Sequence, residues 1–252
     1  MTKIEKKRYS ILDALRGVTV CSMILYHTTW DLVCLYGVNW QWFLGSAAHI
    51  WQQSICWTFL LLSGFCWSLG RHPLKNGVKV FLAGAAVTVV TVIAMPSEPV
   101  WFGVLTLLGT AMLLMIPADR LLSRISPSVG LFICSVVFVL TRNLKDGAFS
   151  FESIVFFPAP QSWYRDWFTA FLGCMPDWFY SSDYFPIFPW LFLFLAGYYL
   201  YQLWKPIGAL PNGDQAVLRP FRFIGRHSLV IYILHQPILY GICEGMHMLG
   251  II

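Results

Sequence analysis

Four ionisable side chains interrupt one long apolar stretch near the start of the chain. Asp13, Arg16, His27 and Asp31 lie in or just after the run LDALRGVTVCSMILYH, residues 12–27. Ionisable groups inside a membrane span cost free energy, so they are default candidates for functional residues. His27 and Asp31 are four residues apart, which puts both on one helix face, where the carboxylate can orient the imidazole or charge it. The same spacing also fits a His–Asp pair that only ties helices together, and both interpretations stay open.

Arg16 and His27 form a second pattern along the same helix. Eleven residues separate them, which is about 16 Å of helix and close to three full turns, so both project in nearly the same direction. We expect Arg16 at the cytoplasmic mouth of a cavity and His27 at its deep end, near the centre of the first span. Asp13 lies one turn before Arg16, and a simple ion pair between the two is the alternative.

Polar residues in two later spans are candidate substrate contacts. His235 and Gln236, in YILHQPIL, lie near the middle of the last apolar run, where an interhelical hydrogen bond is the alternative role. Asp183, at the outer end of its span, is a further candidate, with a helix N-cap as the alternative. Trp30, next to Asp31, is assigned to the same substrate site.

The composition places these residues in a lipid bilayer. Hydrophobic residues make up 58% of the 252, charged residues 12%, and the mean hydropathy is +0.64. A soluble domain could not bury that much apolar surface. We therefore predict an all-α, polytopic transmembrane helix bundle of about seven to eight spans, forming a single domain over residues 1–252. The seven clearest spans lie near 17–36, 47–69, 78–95, 101–117, 128–141, 186–203 and 227–248.

The basic residues predict which side of the membrane each loop occupies. Three cations (Arg142, Lys145 and Arg165) fall on one side, and the remaining fourteen fall on the other. Cytoplasmic loops carry the excess of Lys and Arg, so the N-terminus is predicted to be cytoplasmic and, with seven spans, the C-terminus is not. The fourteen are Lys3, Lys6, Lys7, Arg8, Arg16, Arg71, Lys75, Lys79, Arg120, Arg124, Lys205, Arg219, Arg222 and Arg226.

The segment 142–185 is the one long stretch on the predicted outer side. It is rich in Trp, Tyr and Phe, and residues 162–174 are predicted to form an interfacial helix or to re-enter the membrane. Its aromatic residues fit membrane anchors, and an aromatic platform for a sugar is the alternative. The seven cysteines show no CxxC pair or metal-ligand spacing, so we expect core-filling residues and no metal.

Several sequence segments together resemble a known group of membrane enzymes. Arg16 and His27, following LDALRG, resemble the R-X10-H signature of the acyltransferase 3 family, and FLLLSGF at 59–65 resembles its FFxxSGF stretch. Three further segments are similar to bacterial relatives of heparan-α-glucosaminide N-acetyltransferase. These segments are FGVLTLLG at 102–109, DYFPIFPWLFLFLAG at 183–197 and IGRHSLVIYILHQPIL at 224–239.

The resemblance implies acyl transfer from cytoplasmic acyl-CoA, most simply acetyl-CoA, to a sugar or amino sugar. It implies that basic groups at the cytoplasmic mouth hold the CoA phosphates, with Arg16, Arg71, Arg222 and Arg226 as candidates. His27 would be the general base, with Asp31 setting its tautomer. In the mammalian heparan enzyme, the position like His27 is Asn and the proposed active-site His lies in the next loop. Residues 36–48 here contain no His, so the catalytic role passes to His27, as in acyltransferase 3 proteins, or to a residue that these motifs do not identify.

The expected partners are acyl-CoA, a carbohydrate acceptor, the lipid bilayer of a bacterial cytoplasmic membrane and, as an open alternative, a second copy of the chain. Nucleic acid is not expected. Two other functions remain open at this point. One is a small transporter or channel that uses the intramembrane His and Asp groups. The other is a non-catalytic membrane partner in polysaccharide metabolism.

Overall fold

The computed structural model describes residues 9–208 and 216–250. The chain divides into two compact units. The first unit combines Met1–Phe59 with Ala209–Ile252, so it joins the two ends of the chain. The second unit is Leu60–Gly208. Four of the predicted cytoplasmic cations lie outside the described residues: Lys3, Lys6, Lys7 and Arg8.

Long apolar helices make up most of the described chain, which confirms the predicted all-α membrane fold. The helix boundaries lie close to the predicted spans, because uninterrupted apolar runs with polar or Pro-containing ends set both. The helices are α1 (Ser10–Trp30), α2 (Ser46–Trp67), α3 (Pro73–Ala94), α4 (Val104–Leu122), α5 (Pro127–Leu140), α6 (Trp167–Leu172), α7 (Ile187–Trp204), α8 (Arg219–Arg226) and α9 (Ser228–Met248).

Six of the described helices are long and apolar enough to cross a membrane, fewer than the seven to eight predicted. The difference is α2, which has 22 residues but carries His49, Gln52 and Gln53 in its first half and is less apolar than the six. If α2 did not cross, Arg71, Lys75 and Lys79 would move to the opposite side from Arg16. The charge bias therefore favours a crossing α2, and the side of each terminus stays a prediction.

The first unit is built on the contact between α1, α8 and α9. Gly17 of α1 lies directly against the Phe221 backbone, and Gly225 of α8 lies against the Asp13 backbone, so a Cβ on either glycine would overlap a carbonyl oxygen. Small residues allow this close approach, which is how membrane helices gain packing energy. Beside this contact, Val20 and Met23 of α1 pack with Ile55 of α2 in a buried apolar cluster.

The second unit contains the same kind of close backbone contact at glycines, between other helices. Gly64 near the end of α2 lies against the Phe194 backbone of α7, and Gly197 of α7 lies against the Leu61 backbone in return. Helices α3 and α4 pair closely, as do α5 and α7. Phe194 and Tyr198 are fully buried in the core of this unit, and the Tyr198 hydroxyl donates to Asp119 Oδ1 at 2.7 Å.

The segment 142–185 contains an unpredicted β-hairpin. Strands β1 (Ala148–Phe151) and β2 (Ile154–Pro158) pair antiparallel, and only α6, six residues long, forms within the predicted helix at 162–174. Asp166 caps α6 through the Thr169 amide at 2.9 Å. Arg142, counted above as an outer-side cation, is buried, with its guanidinium 4.9 Å from the centre of the Trp190 ring.

Cysteine labelling tests the predicted crossing of α2. Leu44 and Leu74 flank this helix, and both are exposed. In a variant without the seven native cysteines, Leu44→Cys should react with an impermeant thiol reagent from outside and Leu74→Cys from the cytoplasm, because α2 separates the two positions. Ile154→Cys in the hairpin should label from outside. Labelling of Leu44→Cys and Leu74→Cys from the same side would show that α2 does not cross.

Alanine substitution tests the backbone contact between α1 and α8. Gly225→Ala places a methyl group into the Asp13 carbonyl, so we expect a loss of about 1–3 kcal/mol in the free energy of unfolding, as for other overpacked sites. The measurement is the thermal unfolding of purified protein in detergent. Gly241→Ala is the matched control, because no atom lies near that glycine and alanine favours the helix there. Equal stability of the two variants would contradict the contact.

Candidate active site

The end of α1 presents the first two predicted catalytic residues. The apolar span runs from Ser10 to Leu35, so it starts earlier than predicted, and His27 lies in its second half instead of at its centre. At Asp31 the helix widens into a π-helical turn, Asp31–Leu35. Such turns are rare and frequent at functional sites. The Asp31 side chain is fully buried at this turn.

Helix α9 brings the predicted substrate contacts of the last span to the same place. Gln236 Nε2 donates a hydrogen bond to Asp31 Oδ1 at 2.8 Å. The rings of His27 and His235 lie 4.9 Å apart between centroids. Pro237 follows directly and has no N–H, so the helix is locally weakened beside the two polar residues. Two pairs of residues about 200 positions apart in sequence thus form one cluster, His27–Asp31–His235–Gln236.

Asp31 has a different partner from the one the sequence suggested. No side-chain hydrogen bond joins the Asp31 carboxyl group to the His27 ring; within the described residues the side-chain partner of Asp31 is Gln236. The His27 ring makes no hydrogen bond to any described residue, and the residue is partly exposed. Asp31 therefore anchors α9 to α1, while the His27 ring contacts His235 and keeps its nitrogens available.

Three buried atoms of this cluster have no hydrogen-bond partner among the described residues. They are Asp31 Oδ2, Gln236 Oε1 and His235 Nε2. Buried polar atoms are nearly always paired, because leaving one unpaired costs its lost hydration. Unpaired atoms grouped in this way indicate a site that a ligand or water completes.

A basic cluster lies at the other end of α1. The buried Asp13 carboxylate lies 4.0 Å from Arg16 and 3.4 Å from Arg226. Both expected roles of Arg16 are therefore compatible, since the ion pair to Asp13 exists and two arginines share one acid. Arg222 lies one turn before Arg226 on the same face of α8. The cluster keeps a net positive charge, which suits an anionic ligand.

The remaining predicted site residues are distributed as follows. Trp30 is the last residue of α1, directly before the π-helical turn. Arg71 and Asp183 belong to the second unit. Arg71 is exposed between α2 and α3. Asp183 Oδ2 accepts the Val104 amide at 3.3 Å, so it caps α4 instead of the helix that follows it.

A contact that the sequence analysis missed extends the α1–α9 interface outward. The Tyr36 hydroxyl donates to Glu244 Oε2 at 3.0 Å, and the His247 ring lies 5.5 Å from the Tyr36 ring. The sequence held only a weak signal, because Glu244 is an acid within the last apolar run but lies about 80° around the helix from Gln236. Among the described residues, no group of three or more His, Cys, Asp or Glu side chains could hold a metal ion.

These features define a multi-pass helical membrane protein with a polar, histidine-containing site inside its first unit. The family model for the catalytic region of heparan-alpha-glucosaminide N-acetyltransferase matches residues 8–237. The chain belongs to this family, which confirms the resemblance seen in the motifs and makes it a membrane protein of the transferase class. The matched region contains every residue of the His27–Asp31–His235–Gln236 cluster. No curated protein and no solved structure matches the chain.

A double-mutant cycle tests the contact on which the cluster depends. Asp31→Ala and Gln236→Ala should each destabilise the protein, and the double variant should lose less than the sum. The expected coupling is about 1–3 kcal/mol, as for one buried hydrogen bond to a carboxyl group. Thermal unfolding in detergent measures it. Gln41→Ala is the control, because Gln41 is exposed and bonds only locally to Asn39, so its effect should add to that of Asp31→Ala.

Proposed function

We propose that this protein transfers an acyl group, acetyl in the simplest case, from cytoplasmic acyl-CoA to a sugar or amino-sugar acceptor at or across the membrane. The observation that carries the proposal is the cluster of His27, His235, Asp31 and Gln236 within the region that matches the acetyltransferase family. Imidazoles placed beside unpaired polar atoms can transfer protons to and from a bound substrate.

The basic cluster would bind the phosphates of the acyl donor. Arg16, Arg222 and Arg226 lie in the same unit as His27, and guanidinium groups bind phosphate through paired, charge-assisted hydrogen bonds. About 16 Å of helix separates Arg16 from His27, a length that fits a pantetheine arm reaching from the phosphates to the thioester. Arg71, in the second unit, stays a fourth candidate.

His27 would be the general base. Its ring has no hydrogen-bond partner among the described residues, so a ring nitrogen can accept a proton from the acceptor. In the transfer step the acceptor nitrogen or oxygen forms a bond to the acyl carbon, His27 takes the proton, and the C–S bond breaks to release CoA. Asp31 Oδ1 would act indirectly, by fixing α9 and its His235 against the His27 ring. Direct transfer requires no covalent enzyme intermediate, although an acyl-histidine is chemically possible.

Two matched variants test donor binding and chemistry separately. Purified protein in lipid is given labelled acetyl-CoA and a panel of amino sugars, and the products are identified by mass. His27→Asn should lower turnover by about 10²- to 10⁴-fold, the usual contribution of a general base, while CoA still raises the unfolding temperature. Arg16→Ala should weaken stabilisation by CoA, because it removes a charge that the phosphates need.

The controls separate this proposal from its rivals. Pantetheine without phosphates should stabilise the wild-type protein less than CoA does, and equal stabilisation would count against the basic cluster as a phosphate site. A folded His27→Asn protein with near-normal turnover would remove His27 as the base. Uptake or efflux of a solute without any acyl-CoA requirement would favour the transporter function instead.

A further inference from the structure

The hydrogen-bond chemistry of the unpaired atoms in the His27–Asp31–His235–Gln236 cluster indicates what binds there. His235 Nδ1 lies 2.5 Å from the Tyr232 carbonyl oxygen. A carbonyl oxygen only accepts hydrogen bonds, so Nδ1 must carry the hydrogen. In the neutral ring, Nε2 is then the nitrogen with the lone pair. His235 is therefore held in the tautomer of a base, with its basic nitrogen buried and unpaired among the described residues.

All three unpaired atoms of the cluster are consequently hydrogen-bond acceptors. Gln236 Oε1 accepts by its chemistry, Asp31 Oδ2 accepts when the carboxyl group is ionised, and His235 Nε2 accepts because of its tautomer. Their missing partner must supply N–H or O–H donors. The acyl thioester cannot be that partner, because its carbonyl oxygen is itself an acceptor. Beside the thioester, these atoms therefore suit the amine or hydroxyl group that receives the acyl chain.

The number of protons in the reaction gives His235 a role distinct from that of His27. An amine acceptor arrives mostly as an ammonium ion, and its nitrogen loses two protons in becoming an amide. One must leave before the nitrogen can attack, and the other leaves as the amide forms. A single base serves a neutral acceptor, whereas two proton acceptors side by side allow a bound ammonium acceptor to lose both protons within the site. The His27 and His235 rings, 4.9 Å apart, are placed to do this.

We propose that His235 is a second catalytic residue, whose Nε2 removes the first proton from an ammonium acceptor held by Asp31 and Gln236. The nitrogen then bonds to the acyl carbon, and the C–S bond breaks. The departing sulfur takes the proton from His235, while His27 takes the second proton and releases it to solvent. The products are the amide, CoA as the thiol and one proton, so atoms and charge balance. This inference rests on the proposed acyl transfer.

The test compares two acceptors that differ in how many protons they must lose. Glucosamine is mostly an ammonium ion at about pH 6.5. An analogue in which an alkoxyamine replaces the amine is neutral at that pH and loses only one proton. His235→Asn should lower kcat/KM for glucosamine by about 10²-fold or more but lower that for the alkoxyamine much less. His27→Asn should impair both acceptors. His49→Asn, which changes an exposed histidine in the first turn of α2, should leave both unchanged.

Equal losses on the two acceptors in His235→Asn would reduce His235 to a structural role and overturn the inference, while the acyl transfer itself would stand. If the wild-type protein transfers acetyl to neither acceptor, the proposed function fails first. Should His235→Asn not fold, His235→Gln keeps more of the bulk and still cannot take the proton.

A binding measurement on the wild-type protein tests the donor requirement without any variant. Glucosamine should raise its unfolding temperature. A glucosamine that is methylated on every hydroxyl oxygen and carries a trimethylammonium group has no N–H or O–H and should not; equal stabilisation by both would overturn the donor requirement.

Discussion

The backbone contact between α1 and α8 is the interaction on which the first unit depends. Gly17 and Gly225 let the two helices touch without side chains between them. In a bilayer, lipid tails are as apolar as leucine, so close van der Waals packing must supply the association energy. The same contact places Arg226 beside Asp13. Since α9 begins two residues after α8 ends, it also fixes where α9 starts along α1.

This arrangement makes the two ends of the polar site depend on each other. With α9 anchored at its start, His235 and Gln236 reach the level of His27 and Asp31 two turns later. The buried Gln236–Asp31 hydrogen bond then holds that register. A one-residue slip of α9 would turn the glutamine about 100° away and leave the Asp31 carboxyl group buried without a donor. Pairing of this kind gives a membrane site a defined geometry as well as stability.

The unpaired atoms show where stability has not been maximised. Asp31 Oδ2, Gln236 Oε1 and His235 Nε2 are buried and have no hydrogen-bond partner among the described residues. Apolar residues of similar size would fit these positions at lower cost. A substrate that donates hydrogen bonds to these atoms would offset the cost of burying them, so the same atoms would select the acceptor. Asp183 differs, because its carboxylate already caps α4.

Local sequence pattern and composition were sufficient to predict the class of protein and the positions of the long helices. Long apolar runs with polar ends define spans regardless of their neighbours, and helical spacing alone placed Arg16, His27 and Asp31 on one helix. The motifs were also sufficient for the family. The hairpin at residues 148–158 escaped this reasoning, since its strands are short and its aromatic residues suit an interfacial helix equally well.

The partners of the site residues required the tertiary structure. The sequence suggested His27 as the side-chain partner of Asp31, yet in the structure the Asp31 carboxyl group accepts its hydrogen bond from Gln236, 205 positions away. The sequence also gave no tautomer for His235, which depends on the Tyr232 carbonyl, and it did not show that two imidazoles meet. The physical reason is that spacing along one helix determines which side chains share a face. Which other helix that face meets is decided by packing, here by glycines that allow α1 and α8 to touch.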